Sequence, residues 1–172
     1  MALIKEIAPL VTELVTVLIG LPCSGKSTYL KTIDYDFVIS SDNIVDILCR
    51  QNNLAYNDYF KLAPKSSLKH FHNMIFDKMI DKSKAFNHVV WDLTNLTKKS
   101  RSTIFKYYPD AKFCAVFFDY GEKDELLLER NRRRFDESGK YIDEKVLKAM
   151  CMQLEPVSEE EPFDDAVIFS FL

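Results

Sequence analysis

Two hydrophobic periods alternate along this chain. Short runs of consecutive apolar, largely β-branched or aromatic residues at 14–19, 36–40, 89–92, 112–119 and 166–171 read as strands. Between them, apolar residues recur at helical spacing at about 26–33, 42–50, 64–84, 98–107, 122–133 and 143–153. The stretch from residue 64 carries Leu68, Phe71, Ile75 and Met79 as a stripe expected to dock on the sheet. Thr97 and Asp143 stand where helix N-caps belong. This alternation predicts an α/β protein with a five-stranded parallel sheet flanked by helices. Ligands of such sheets sit beyond the carboxyl ends of the strands. Those positions hold a glycine loop, Ser41-Asp42, Asp92 with Thr94-Asn95, and Asp119-Tyr120.

The glycine loop is the most specific of these. Gly20-Leu21-Pro22-Cys23-Ser24-Gly25-Lys26-Ser27 fits G-x-x-x-x-G-K-[ST] and lies between a predicted strand and a predicted helix, the order that a phosphate-binding loop requires. Its glycines allow a tight turn whose successive N–H groups face a concavity suited to phosphate oxygens. A bound nucleotide, ATP, is expected to contact Gly20, Cys23, Ser24, Gly25, Lys26, Ser27 and Thr28. Lys26 is expected to reach the β and γ phosphates, and the Ser27 hydroxyl to sit on Mg²⁺.

Three further features could carry chemistry. Asp92 ends an apolar strand, the placement of an acid near the metal and γ-phosphate; as a turn or capping residue it would need no ligand. Asp42 follows the second strand, where a carboxylate can take the proton of an attacking hydroxyl; it, or Ser41, could equally cap the next helix. Arg130, Arg132, Arg133 and Arg134 form the densest basic cluster. Arg130 and Arg134, spaced i,i+4, share a helix face on which two guanidiniums could clamp γ-phosphoryl oxygens, although a solvated face with Glu129 paired to Arg133 is the plainer explanation. The following residues 135–140 read as a flexible loop, and about 122–142 as a closing lid.

Lys61, Lys65 and Lys69 interleave with Tyr56, Tyr59, Phe60 and Phe71, a pattern that fits either a groove for single-stranded nucleic acid or ordinary core and rim packing. His70 and His72 fall on different helix faces and do not suggest a shared metal. Asp136-Glu137-Ser138-Gly139 matches the D-x-x-G of GTPase switches, but no strand leads into it and the chain lacks N-K-x-D.

Composition narrows the picture a little. The chain has 172 residues, enough for a single domain preceded by an N-terminal extension at 1–12. A formal net charge of −3 excludes a global polyanion-binding field, so any nucleic-acid contact must be a local patch. Cys23, Cys49, Cys114 and Cys151 form no C-x-x-C pair, and no secretory signal or membrane span is visible; a cytoplasmic protein with reduced thiols is expected.

Over about residues 13–170, the glycine loop, Asp42, Asp92-Leu93-Thr94-Asn95-Leu96, Arg101, Arg130-x-x-x-Arg134 and Glu155-Pro156…Pro162-Phe163-Asp164 resemble the kinase domain of phage polynucleotide 5′-kinases and their P-loop kinase relatives. The resemblance implies a P-loop kinase fold with an arginine-bearing lid, and transfer of the γ-phosphate of ATP to the 5′-hydroxyl of DNA or RNA. By the same resemblance Lys26 and Ser27 hold phosphate and Mg²⁺, Asp42 is the general base, and Arg130 and Arg134 are the lid arginines. Arg101 aligns with a family position of no firm role. The sequence departs from the family three residues after the base, where an arginine that holds an acceptor phosphate is replaced by Val45; Arg50 or a lysine of 61–69 would have to substitute. No counterpart of the family's C-terminal phosphatase domain is expected after Leu172. The alternatives are a small-molecule kinase acting on a nucleoside, nucleotide or sugar, and a nucleotide-dependent binding module without transfer chemistry.

Overall fold

The computed structural model describes residues 12–121 and 124–171; the expected extension at 1–12 lies outside the described residues except for Thr12. Five strands, β1 (Leu14–Ile19), β2 (Phe37–Ile39), β3 (His88–Asp92), β4 (Lys112–Asp119) and β5 (Asp165–Ser170), form one sheet in the order β2-β3-β1-β4-β5. Every pairing is parallel. The helices are α1 (Lys26–Leu30), α2 (Ser41–Gln51), α3 (Tyr56–Lys61), α4 (Ser67–Ser83), α5 (Lys98–Tyr107), α6 (Asp124–Ser138) and α7 (Glu144–Gln153). None is long and apolar enough to cross a membrane among the described residues.

β1 lies at the centre because it is apolar on both faces. Val15, Val17 and Ile19 join a core with Ile80 of α4 and Ile104 of α5, whereas Leu18 faces a second core with Leu127 of α6 and Leu147 of α7. A smaller third cluster joins Ile44, Val45 and Leu48 of α2 to Tyr59 of α3 and Ile75 of α4. Thr97 caps α5 through a capping box with Ser100, and the Asp143 carboxylate accepts from the Lys145 N–H, as their positions suggest.

Several expectations are corrected. Residues 135–138 are helical, because α6 continues to Ser138 and turns only at Gly139, whose φ is +70°. Phe71 does not belong to the docking stripe: it is half exposed, and α4 buries Ile80 and Ser83 instead, while Leu68, Ile75 and Met79 pack on the third cluster. α1 ends at Leu30, short of residue 33, and α4 begins at Ser67 under a Ser66 cap. α3 has no counterpart in the sequence pattern, since six residues are too few to display a helical period. Neither Ser41 nor Asp42 caps α2; Ser40 occupies that position without a side-chain bond. Arg133 pairs with Glu137 at 3.6 Å and not with Glu129.

The turn after β3 is fixed by a buried arginine. Arg101 is 0% exposed and donates to both Glu161 carboxylate oxygens, at 2.6 and 2.7 Å. It also donates to the carbonyls of Asn95, Leu96, Glu155 and Pro156. Burial alone would raise the Glu161 pKa, but the bonds from Arg101 and the Ser158 N–H hold it below the ordinary carboxylate value. Arg101→Met should lower stability by about 3–5 kcal/mol, because a buried carboxylate and several carbonyls lose their donors; urea unfolding of the two proteins reads the difference. Glu161's share is present above its ordinary pKa and disappears as acid protonates the folded protein.

Candidate functional site

At the carboxyl end of β1 the chain must leave the sheet without a side chain. A Cβ on Gly20 would lie 2.9 Å from Phe118 Cβ and 2.9 Å from Ser24 Oγ, so the loop's first residue can only be glycine. The loop is tied back to the sheet by the Gly20 N–H, which donates to the Thr94 carbonyl at 3.0 Å. Asn95 fixes the same turn from below, donating to the Leu18 carbonyl at 2.7 Å from a left-handed backbone with φ of +48°. Gly25, at φ +104°, opens α1. Cys23 also adopts a left-handed conformation, φ +63°, at a cost of about 1–2 kcal/mol for a residue with a side chain.

Lys26 points back into this loop and donates to the Gly20 and Leu21 carbonyls at 2.8 and 2.7 Å. Burial lowers its pKa to about 8, against the opposing pull of Asp92, Cys23 and Asp42. Ser24 Oγ is buried with no hydrogen-bond partner among the described residues. Ser27 and Thr28 follow Lys26 in the first turn of α1 and are exposed. The orphaned hydroxyl, the cradle that a Cβ would fill and the buried lysine all fit a polyphosphate.

Asp92 ends β3 half-buried, and no hydrogen bond reaches its carboxylate among the described residues. Burial raises its pKa; Lys26 opposes the rise and Asp42 adds to it, so the three groups share one electrostatic environment. No cluster of three or more His, Cys, Asp or Glu able to hold a metal exists among the described residues. A single carboxylate beside a hydroxyl and phosphates is a donor set of the kind in which Mg²⁺ is commonly held.

Asp42 sits in the first turn of α2 and draws together three elements. Tyr56 of α3 donates to its Oδ1, while Arg134 of α6 and Lys140 reach Oδ2 at 3.4 and 3.2 Å. Lys140 also binds Asp46 at 2.5 Å. Arg134 and Lys140 both lie over the Tyr56 ring, 5.6 and 4.8 Å from its centroid. Burial and the bond to Asp42 push the Tyr56 phenol well above its ordinary pKa, so it remains a donor. Beside Asp42, Ser41 Oγ is 2.8 Å from His72 Nε2 of α4.

Arg130 and Arg134 share α6 but take different stations. Arg130 bonds to the Tyr120 hydroxyl and the Cys23 carbonyl, and so rests on the glycine loop; Tyr120 in turn donates to the Ser24 carbonyl at 2.9 Å. Arg134 rests on Asp42. The structure therefore brings Lys26, Asp92, Asp42 and Arg134 into one field and sets Arg130 against the loop. Tyr56 and Lys140 carried no sequence signal for their contact with Asp42, because they lie 14 and 98 residues away from it. Val45, by contrast, is 2% exposed and packs in the third core cluster.

The fold is that of P-loop kinases, and it implies nucleotide binding. Solved structures with this fold include a chain of the Pnkp1/Rnl/Hen1 RNA repair complex, 17% identical with TM-score 0.62, covering 83% of this chain and 44% of that one. This chain thus spans less than half the length of that match. Kti12 of Chaetomium thermophilum, solved with ADP-AlF3, is 18% identical with TM-score 0.60, covering 91% and 89% of the two chains. A fungal RNA kinase is 20% identical with TM-score 0.57, covering 94% and 76%. No curated protein sequence matches the chain. The AAA domain matches residues 15–157, most of the chain and the whole of the site from Gly20 to Lys140, and the protein accordingly belongs to the AAA domain family.

Proposed function

We propose that this chain is an ATP-dependent polynucleotide kinase that transfers the γ-phosphate of ATP to the 5′-hydroxyl of DNA or RNA, with residues 1–172 as one kinase unit and about 122–142 as its lid. The observation that carries this reading is the setting of Asp42: a carboxylate just past β2, held by three donors, in the same electrostatic field as the buried loop lysine. The likeness to a fungal RNA kinase and to a chain of an RNA repair complex supports the acceptor class, and the low identity leaves the residues to make the case.

In this reading Lys26, Ser24 and the loop N–H groups from Gly20 to Thr28 bind the polyphosphate. Mg²⁺, held by Ser27 and Asp92, would neutralise charge on the β and γ oxygens. Asp42 orients the acceptor hydroxyl and takes its proton as the new O–P bond forms and the bond to the β-phosphate oxygen breaks, releasing ADP. Oδ2 of Asp42 takes two donors and Oδ1 only one, so an entering hydroxyl meets the free lone pair of Oδ1. The 3.4 Å bond from Arg134 is the weakest of the three, and its release frees a guanidinium for the γ-phosphoryl oxygens. Arg130, on the loop side, neutralises charge from the other flank.

A small-molecule kinase on the same scaffold is the second reading. It is favoured by Val45, whose burial removes the residue that would hold an acceptor phosphate, and by the net charge of −3.

Incubation with γ-labelled ATP and a panel of 5′-hydroxyl DNA, RNA, mononucleotides and sugars should label the polynucleotides; label on sugars or nucleosides alone would select the second reading. Asp42→Asn should keep ATP affinity within a few-fold while transfer falls by about 10²–10⁴. Arg134→Ala should lose about 10³ or more in kcat. Lys26 is charged below about pH 8 and loses its proton above it, so ATP affinity should be flat below that value and fall by up to tenfold per pH unit beyond it. Calorimetric titration across pH reads this slope, and Lys26→Met should abolish it.

A further inference from the structure

α3 sends its three aromatic rings to different destinations. Tyr59 is buried in the third core cluster at 2% exposure, and Tyr56 turns to Asp42. Phe60 does neither. It is 56% exposed and stands edge-on to Tyr56, with ring centroids 5.1 Å apart, as the next ring outward from the carboxylate. The core does not explain a phenyl ring left in water at that place.

A cation accompanies it. Lys69 of α4 extends its amine over Tyr59, 3.8 Å from the ring centroid, and lies 5.3 Å from that of Phe60. Three residues on, and so on the same face of α4, His72 meets Ser41 beside Asp42. Tyr56 and Phe60 of α3 and Lys69 and His72 of α4 thus gather around Tyr59 beside Asp42. An exposed ring beside a cation matches the chemistry of a single nucleic-acid strand, whose bases stack on aromatics while its phosphates follow positive charge. A sugar or a mononucleotide would end at Asp42 and leave Phe60 without a partner.

We infer that Phe60 and Lys69 form the subsite for the acceptor strand beyond its 5′-terminal nucleotide, Phe60 stacking on a base and Lys69 pairing with a phosphodiester. This rests on the polynucleotide reading of the site and supplies the grip that Val45 does not. It also makes single-stranded ends the preferred acceptors, because a paired base cannot lie on Phe60.

Wild type and variants are compared on a 5′-hydroxyl hexanucleotide and on a nucleoside 3′-monophosphate. Phe60→Ala should reduce the ratio of kcat/KM for the hexanucleotide over the mononucleotide by about tenfold. Phe60→Trp should keep that ratio, and its fluorescence should be quenched by the unlabelled hexanucleotide beyond any change at Trp91 in wild type. Lys69→Ala should make the salt dependence of hexanucleotide binding, followed by anisotropy, shallower by about 0.7 in log–log slope, the effect of one lost phosphate contact on a single strand. If wild type labels the hexanucleotide while all three variants match it in ratio, quenching and slope, the subsite is overturned and the polynucleotide reading stands. If Phe60→Ala is merely less heat-stable with its ratio intact, Phe60 is a packing residue and the subsite is again overturned. If wild type labels no nucleic acid, the functional reading itself fails, and the subsite with it.

Discussion

The closeness of the chain to itself at the carboxyl end of β1 governs the rest of the molecule. Residue 20 has no room for a Cβ between Phe118 and Ser24, so the loop presses directly on β4, and its N–H groups and Lys26 are set by the sheet and not by the loop's own flexibility. Pressure from one side requires a brace from the other. The Thr94-Asn95 turn supplies it, bonding to Gly20 and Leu18, and Arg101 holds that turn by spending its guanidinium donors on four carbonyls and Glu161. A residue of no evident role in the sequence thus becomes, through burial, the fixture behind the phosphate site.

Electrostatics divides the site into two flanks. On one, at the glycine loop, a buried ammonium faces the Asp92 carboxylate, and burial shifts both pKa values toward neutrality. On the other, Tyr56, Arg134 and Lys140 converge on the two oxygens of Asp42. Helix α6 spans the two, with Arg130 on the loop and Arg134 on the carboxylate. An i,i+4 pair on one helix therefore touches both flanks, and a change in the angle of α6 would alter both contacts together.

Much of this was legible from periodicity and motif. The five strands, five of the seven helices with bounds close to those observed, and the loop from Gly20 to Ser27 follow from short-range patterns that burial enforces on both sides of a parallel sheet. The misses share a cause. α3 is too short to show a period, Phe71 has the spacing of a core residue but is half exposed, and residues 135–138 look loop-like because polar helix ends and loops have the same composition.

The sequence by itself determined that a phosphate loop follows a strand and opens a helix, because only glycine, lysine and a hydroxyl at fixed spacing satisfy that geometry, and local spacing is what a sequence preserves. Tertiary structure alone decided what surrounds it. Tyr56 and Lys140 come to Asp42 and Glu161 to Arg101 across separations that leave no periodic trace, and whether an aromatic such as Tyr59 or Phe60 is core or surface depends on which side of a six-residue helix the packing of α2 and α4 selects. Side chains meet there because the sheet order brings their elements together, and that order is a property of the whole chain.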